Sequence, residues 1–86
     1  MTRNRERPFA TLDIYLASFL QLNNMKVTLE LKDERVIFVF SASDELYHLM
    51  MQYNSNVNVP VADFVVAVKT LRGQMLTMRE GRRSSY

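Results

Sequence analysis

The pattern of apolar and polar positions is sharpest between Met25 and Phe40, MKVTLELKDERVIFVF. Val27, Leu29 and Leu31 alternate with Lys26, Thr28, Glu30 and Lys32, the period of a half-buried strand. Val36–Phe40 is a continuous β-branched and aromatic run. A two-residue turn at Asp33-Glu34 pairs Leu31 with Val36, Leu29 with Phe38 and Val27 with Phe40. Thr28 and Glu30 then lie opposite Val39 and Ile37. A slip of one residue would destroy the match of apolar faces, so the register is strongly specified. The turn chemistry is poor, because both central residues of such a turn need φ > 0 and Asn-Gly or Asp-Gly supply it best; a longer, bulged loop is the alternative. The second strand is apolar on both faces. In a two-stranded sheet that is an imbalance, and Ile37 and Val39 need a cover from this chain or another.

Helical periods occupy the rest. Thr11 reads as an N-cap and Asp13 as a first-turn acid for a helix over about residues 12–22. That helix carries Leu12, Ile14, Tyr15, Leu16, Phe19, Leu20 and Leu22 around most of its circumference, the mark of burial on more than one side. Asn23-Asn24 stops it. Ser43 caps a second helix over about 44–53, with Leu46, Leu49, Met50 and Tyr53 in a stripe. Pro60 opens a third over about 61–78, with Val61, Phe64, Val65, Val68, Leu71, Met75 and Met78 in helical period. Arg79-Glu80-Gly81 is expected to end it. The expected fold class is α+β: helix, β-hairpin, helix, helix, with a small antiparallel sheet and the helices on one face.

Eighty-six residues make one domain with a small core. The expected division is a disordered basic tail over 1–8, the domain over 9–78 and a second disordered basic tail over 79–86. Residues 1–7 and 79–86 hold six arginines against two glutamates, whereas 8–78 holds five basic side chains against seven acidic ones. Nucleic-acid-binding domains more often carry their basic patch on the folded surface. No apolar run reaches the ~18–20 residues of a membrane span, and the charged N-terminus lacks the pattern of a signal peptide. With no cysteine, no disulfide framework or thiol chemistry is expected, and a cytoplasmic location is.

The run Asp13-Ile14-Tyr15-Leu16-Ala17-Ser18-Phe19-Leu20 resembles the D-L-Y-L-A-A-F-L helix of a family of very small prokaryotic proteins described as a domain of unknown function. Arg35-Val36-Ile37-Phe38-Val39-Phe40 is similar to that family's R-x-x-F-V-F strand, and Ser43 with Glu45-Leu46 to its T/S-P-E-L helix start. Tyr53-Asn54, Val59, Phe64 and Leu71 match its last third. Asn23-Asn24 stands where the family usually has Gly, and Pro60 where it usually has Asp. The resemblance covers about residues 11–76; it supports the order of elements and implies no activity.

Candidate chemistry is sparse. His48 sits at the edge of an apolar stripe with no nucleophile or metal ligand at suggestive spacing, and reads as a boundary residue. Asp44 and Glu45 are explained by the start of a helix, and Asp13 by capping. Arg72 could pair with an acid such as Asp13, bind an anion or snorkel. The helical methionines Met50, Met51, Met75 and Met78 read as core filling before a partner groove. Gly73 and Gly81 are the only glycines, which argues against a phosphate loop. No catalytic, metal or cofactor-binding residues are assigned, and no enzyme is expected.

The leading expectation is a non-enzymatic, homodimeric interaction module, with Ile37, Val39, Phe38, Tyr15 and Phe19 as interface candidates. Dimerisation would use pairing of the second strands across a two-fold axis, or packing of the first or third helices. The alternatives are a nucleic-acid-associated protein gripping phosphates with Arg3, Arg5, Arg7, Arg82 and Arg83, and a regulator that binds one host or phage protein. No membrane partner is expected.

Overall fold

The structure, a computed structural model, describes residues 7–83. Its elements are β1 (Pro8–Thr11), α1 (Ile14–Leu22), β2 (Thr28–Lys32), β3 (Arg35–Ser41), α2 (Asp44–Asn54) and α3 (Val61–Arg83). The β-hairpin forms in the expected register, with Leu31 opposite Val36, Leu29 opposite Phe38, Glu30 opposite Ile37 and Thr28 opposite Val39. Val27, just ahead of β2, packs on the same core. The turn is the tight one: Asp33 (φ 52°) and Glu34 (φ 66°) both adopt left-handed backbone between Lys32 and Arg35. Apolar pairing along the strands therefore outweighs the unfavourable turn residues.

The principal correction is a third strand. Residues 8–11, expected to be tail and helix approach, form β1, which pairs antiparallel with β3 through Phe9–Phe40, Ala10–Val39 and Thr11–Phe38. The sheet order is β1-β3-β2. β3 is thus central, with both edges paired; Val36, Phe38 and Phe40 on one face are buried, while Ile37 and Val39 on the other are half-buried. β1 is short and begins with proline, which is tolerated at the first position of an edge strand. β1 and β2 run parallel on either side of β3, and a parallel pair needs a crossover. α1 provides it.

All three helices lie on one face of the sheet. α1 lies against both α2 and α3, with its other flank toward the strands, and Ala17, Ser18, Phe19 and Leu20 are buried in succession. A helix enclosed on several sides has no wide polar face, as its sequence requires. The buried Ser18 hydroxyl is satisfied by donating to the Ile14 carbonyl at 2.7 Å. The core joins Leu20 and Phe19 to Phe38 and Phe40 of β3, Leu46 and Leu49 of α2, and Leu71 of α3. The Cα envelope, 42 × 37 × 17 Å, is thin, as one sheet under one layer of helices must be.

Local signals hold with small shifts. Asp13, not Thr11, caps α1: its carboxylate accepts from the amides of Tyr15 (2.9 Å) and Leu16 (3.2 Å). The Thr11 hydroxyl accepts from the Asp13 amide at 3.0 Å and so braces the cap. Ser43 caps α2 as expected, accepting from the Leu46 amide at 3.0 Å. Asn24 (φ 72°) and Asn56 (φ 63°) take the left-handed backbone after their helices, a conformation asparagine tolerates. α3 overruns its expected stop, continuing through Gly81 to Arg83.

Candidate functional site

The strand rows carry through to the sheet's second face, where none of the described helices packs. Four rows of side chains project there. Pro8 and Ser41 make the first, with Lys26 beside them ahead of β2; Ala10, Val39 and Thr28 the second; Ile37 and Glu30 the third; Arg35 and Lys32 the last. The lysines, Arg35, Pro8 and Ala10 are exposed, while Ile37 and Val39 are half-buried by their neighbours in the sheet. A shallow depression of about 200 Å³ opens at one end, bounded by Arg7, Lys26, Pro8, Thr28 and Ser41 with Val39 at its floor.

The five interface candidates separate. Phe38 and Phe19 are 1% and 3% exposed and belong to the core, whereas Tyr15 is 50% exposed on α1. Ile37 and Val39 remain as surface, on the opposite side of the sheet from Tyr15. The strand-pairing route to a dimer is closed for β3, because β1 and β2 already occupy both of its edges. Of the tail arginines, Arg7 is exposed beside the depression; Arg3 and Arg5, and the side chains of Arg82 and Arg83, lie outside the described residues.

A second surface lies on α3. Its core side is Phe64, Val68, Leu71 and Met75. Val61 and Val65, expected on that side, are exposed instead, Val61 at 71%. At ~100° per residue, Val61, Val65, Leu76, Ala62, Gly73 and Val66 share an outer arc of about 140° with Lys69 and Arg72, and all eight are exposed. Arg72 does not pair with Asp13. A Cβ at Gly73 would meet nothing within 4 Å, so no contact within the chain requires glycine there.

A third feature was not legible in the sequence. Between α1, the end of α2 and the start of α3 lies a hollow of about 430 Å³ lined by Phe19, Tyr53, Phe64, Val57, Asn54 and Asn56. The Phe19 and Tyr53 rings sit 5.5 Å apart. Burial, the Asp13 carboxylate and Tyr15 together push the Tyr53 hydroxyl above its ordinary pKa. Its lining has an aromatic floor and neutral amides. Asp13 and Tyr53 are distant in sequence, and no spacing rule connects them.

The titratable groups have structural employment. Asp13 caps α1, and Asp44 and Glu45 occupy the first turn of α2. His48 is exposed. Among the described residues no group of three or more histidines and carboxylates is placed to hold a metal ion, and no helix is long and apolar enough to cross a membrane. No curated protein and no solved structure matches the chain. A family model does match, over residues 6–77, taking in all three strands and most of α3; the chain belongs to the family described as domain of unknown function (DUF5659).

Proposed function

We propose that the domain is a non-enzymatic interaction module that homodimerises through the outer arc of α3. The observation that carries this reading is a helix apolar on two sides, one in the core and one in water. Two copies of α3 packed antiparallel about the level of Leu71 would place Val66 over the second copy's Leu76. Lys69 would lie over the second copy's Gly73, where the missing side chain leaves room for its aliphatic stem. A two-fold contact is self-complementary by construction, so one such match occurs twice. Lys69 and Arg72 keep their charged ends at the rim.

Sedimentation of the full chain at roughly 50 µM tests this, since a Kd near 1 µM leaves mostly dimer at that concentration. Val66→Glu should give a monomer whose own stability is little changed, because Val66 is 60% exposed, and whose Tm falls only by the part the dimer contributed. Gly73→Ala should stabilise the folded monomer by about 1 kcal/mol and weaken the dimer, because a Cβ would then stand in the seam. A wild-type chain that sediments as a monomer overturns the reading.

A further inference from the structure

The open face of the sheet supports a second inference, independent of the dimer because it lies on the opposite side of the sheet from α3. Its apolar positions, Pro8, Ala10, Val39 and Ile37, fall on the adjacent strands β1 and β3. Two strands ~4.8 Å apart make a strip about as wide as one helix. Helix on sheet is also how this domain already buries the sheet's other side.

Charge selects among occupants. Arg7, Lys26, Lys32 and Arg35 ring the strip against one carboxylate, Glu30, within the rows; Asp33 and Glu34 stand in the tip turn beyond Lys32 and Arg35. The end formed by Arg7 and Lys26, where the 200 Å³ depression lies, has no carboxylate in its lining. Stacking this face on a second copy would set cations against cations, an arrangement that like-charge repulsion disfavours. Single-stranded nucleic acid is held by aromatic platforms, and the rows contain none. An aliphatic strip with cations at its ends instead fits an aliphatic stripe with carboxylates beside it.

We propose that this face docks an amphipathic helix of another protein, its apolar stripe on Ala10, Ile37 and Val39 and a carboxylate in the depression between Arg7 and Lys26. The first and last rows are six residues of β3 apart, about 20 Å, which a helix of roughly 13 residues spans. The carboxylate end is the Arg7–Lys26 end, so the partner helix is oriented by charge.

An NMR titration of the full chain tests this with two synthetic helical peptides, one carrying a leucine stripe flanked by glutamates and the other the same stripe flanked by lysines. A thymidine oligonucleotide and anionic phospholipid vesicles serve as further arms. The glutamate peptide should shift amides of β1 and β3, and Lys26→Glu should weaken it by about tenfold while improving the lysine peptide. Val39→Glu should abolish binding; should that variant fail to fold, Lys26→Glu, at an exposed position, still decides. The same shifts in the Val66→Glu variant separate this site from the dimer. No shift on this face up to about 1 mM glutamate peptide, a Kd-equivalent of only about −4 kcal/mol, overturns the proposal. So does equal binding of both peptides, or preference for the oligonucleotide or the vesicles.

Discussion

The tip of the hairpin shows how much a single residue can be overruled. Asp33 and Glu34 adopt left-handed backbone, a conformation that costs residues with a Cβ roughly 1–2 kcal/mol each. They hold it because Leu29, Leu31, Val36 and Phe38 gain their partners only in this register. Replacing the pair by Asn-Gly should therefore stabilise the domain by about 1 kcal/mol, raising Tm by roughly 4–8 °C; calorimetry that finds no rise would mean the turn is not strained in solution. Tyr53 is the second residue with a measurable signature. Its pKa is raised by burial and by Asp13 and Tyr15, so folding favours the protonated phenol. The resulting stabilisation is complete below pH ~10, the ordinary tyrosine value, and is lost as pH rises through the higher folded-state pKa. An absorbance titration should show one late-ionising tyrosine that disappears in Tyr53→Phe.

At the scale of elements, β3 and α3 were read correctly as elements and incompletely as surfaces. The excess of apolar side chains on β3 is legible in the sequence; its edge is filled by a strand, whereas the face holding Ile37 and Val39 is only half-buried by the described residues. The cover for its edge turned out to be β1, four residues opening with a proline, too short to outweigh the punctuation that proline gives a sequence. Even so, Phe9 and Thr11 alternate with Pro8 and Ala10, and Phe9 reaches the ring of Tyr47 at 6.5 Å. On α3 the periodic run from Val61 to Met78 reads in the sequence as one stripe, yet it is two. Phe64, Val68, Leu71 and Met75 turn inward; Val61 and Val65 turn out. Helical period alone cannot separate them, because valine at i and i+4 of either stripe satisfies it, and only the position of α1 and the sheet decides which side is core.

The whole molecule is one sheet under one layer of helices, so its stability rests on few side chains. Leu20 is fully buried on the helix shared by both neighbours. Leu20→Ala should cost about 2–5 kcal/mol. A domain of this size has only roughly 4–12 kcal/mol in total, so the urea midpoint of this variant should fall by a large fraction of the wild-type value. The one-sided architecture also places two different surfaces back to back. The helix layer exposes the outer arc of α3, and the sheet exposes Ile37 and Val39 among cations. On the two proposals above, one side pairs with a second copy and the other holds another chain, and the two do not compete for surface.

The hairpin register, the three helices, the cap at Ser43 and the asparagine stops are legible from the chain alone. These depend on neighbours in the chain: alternation, period and short side chain to backbone bonds. Membership in a family without an assigned activity was also legible from residues 13–20 and 35–40. Only the packed chain makes β3 central, puts Phe38 and Phe19 in the core and brings Tyr53 under the electrostatic influence of Asp13. Each of these depends on which distant segment arrives beside a strand or helix. A residue's own pattern says that it must be covered; only the packed chain says by what.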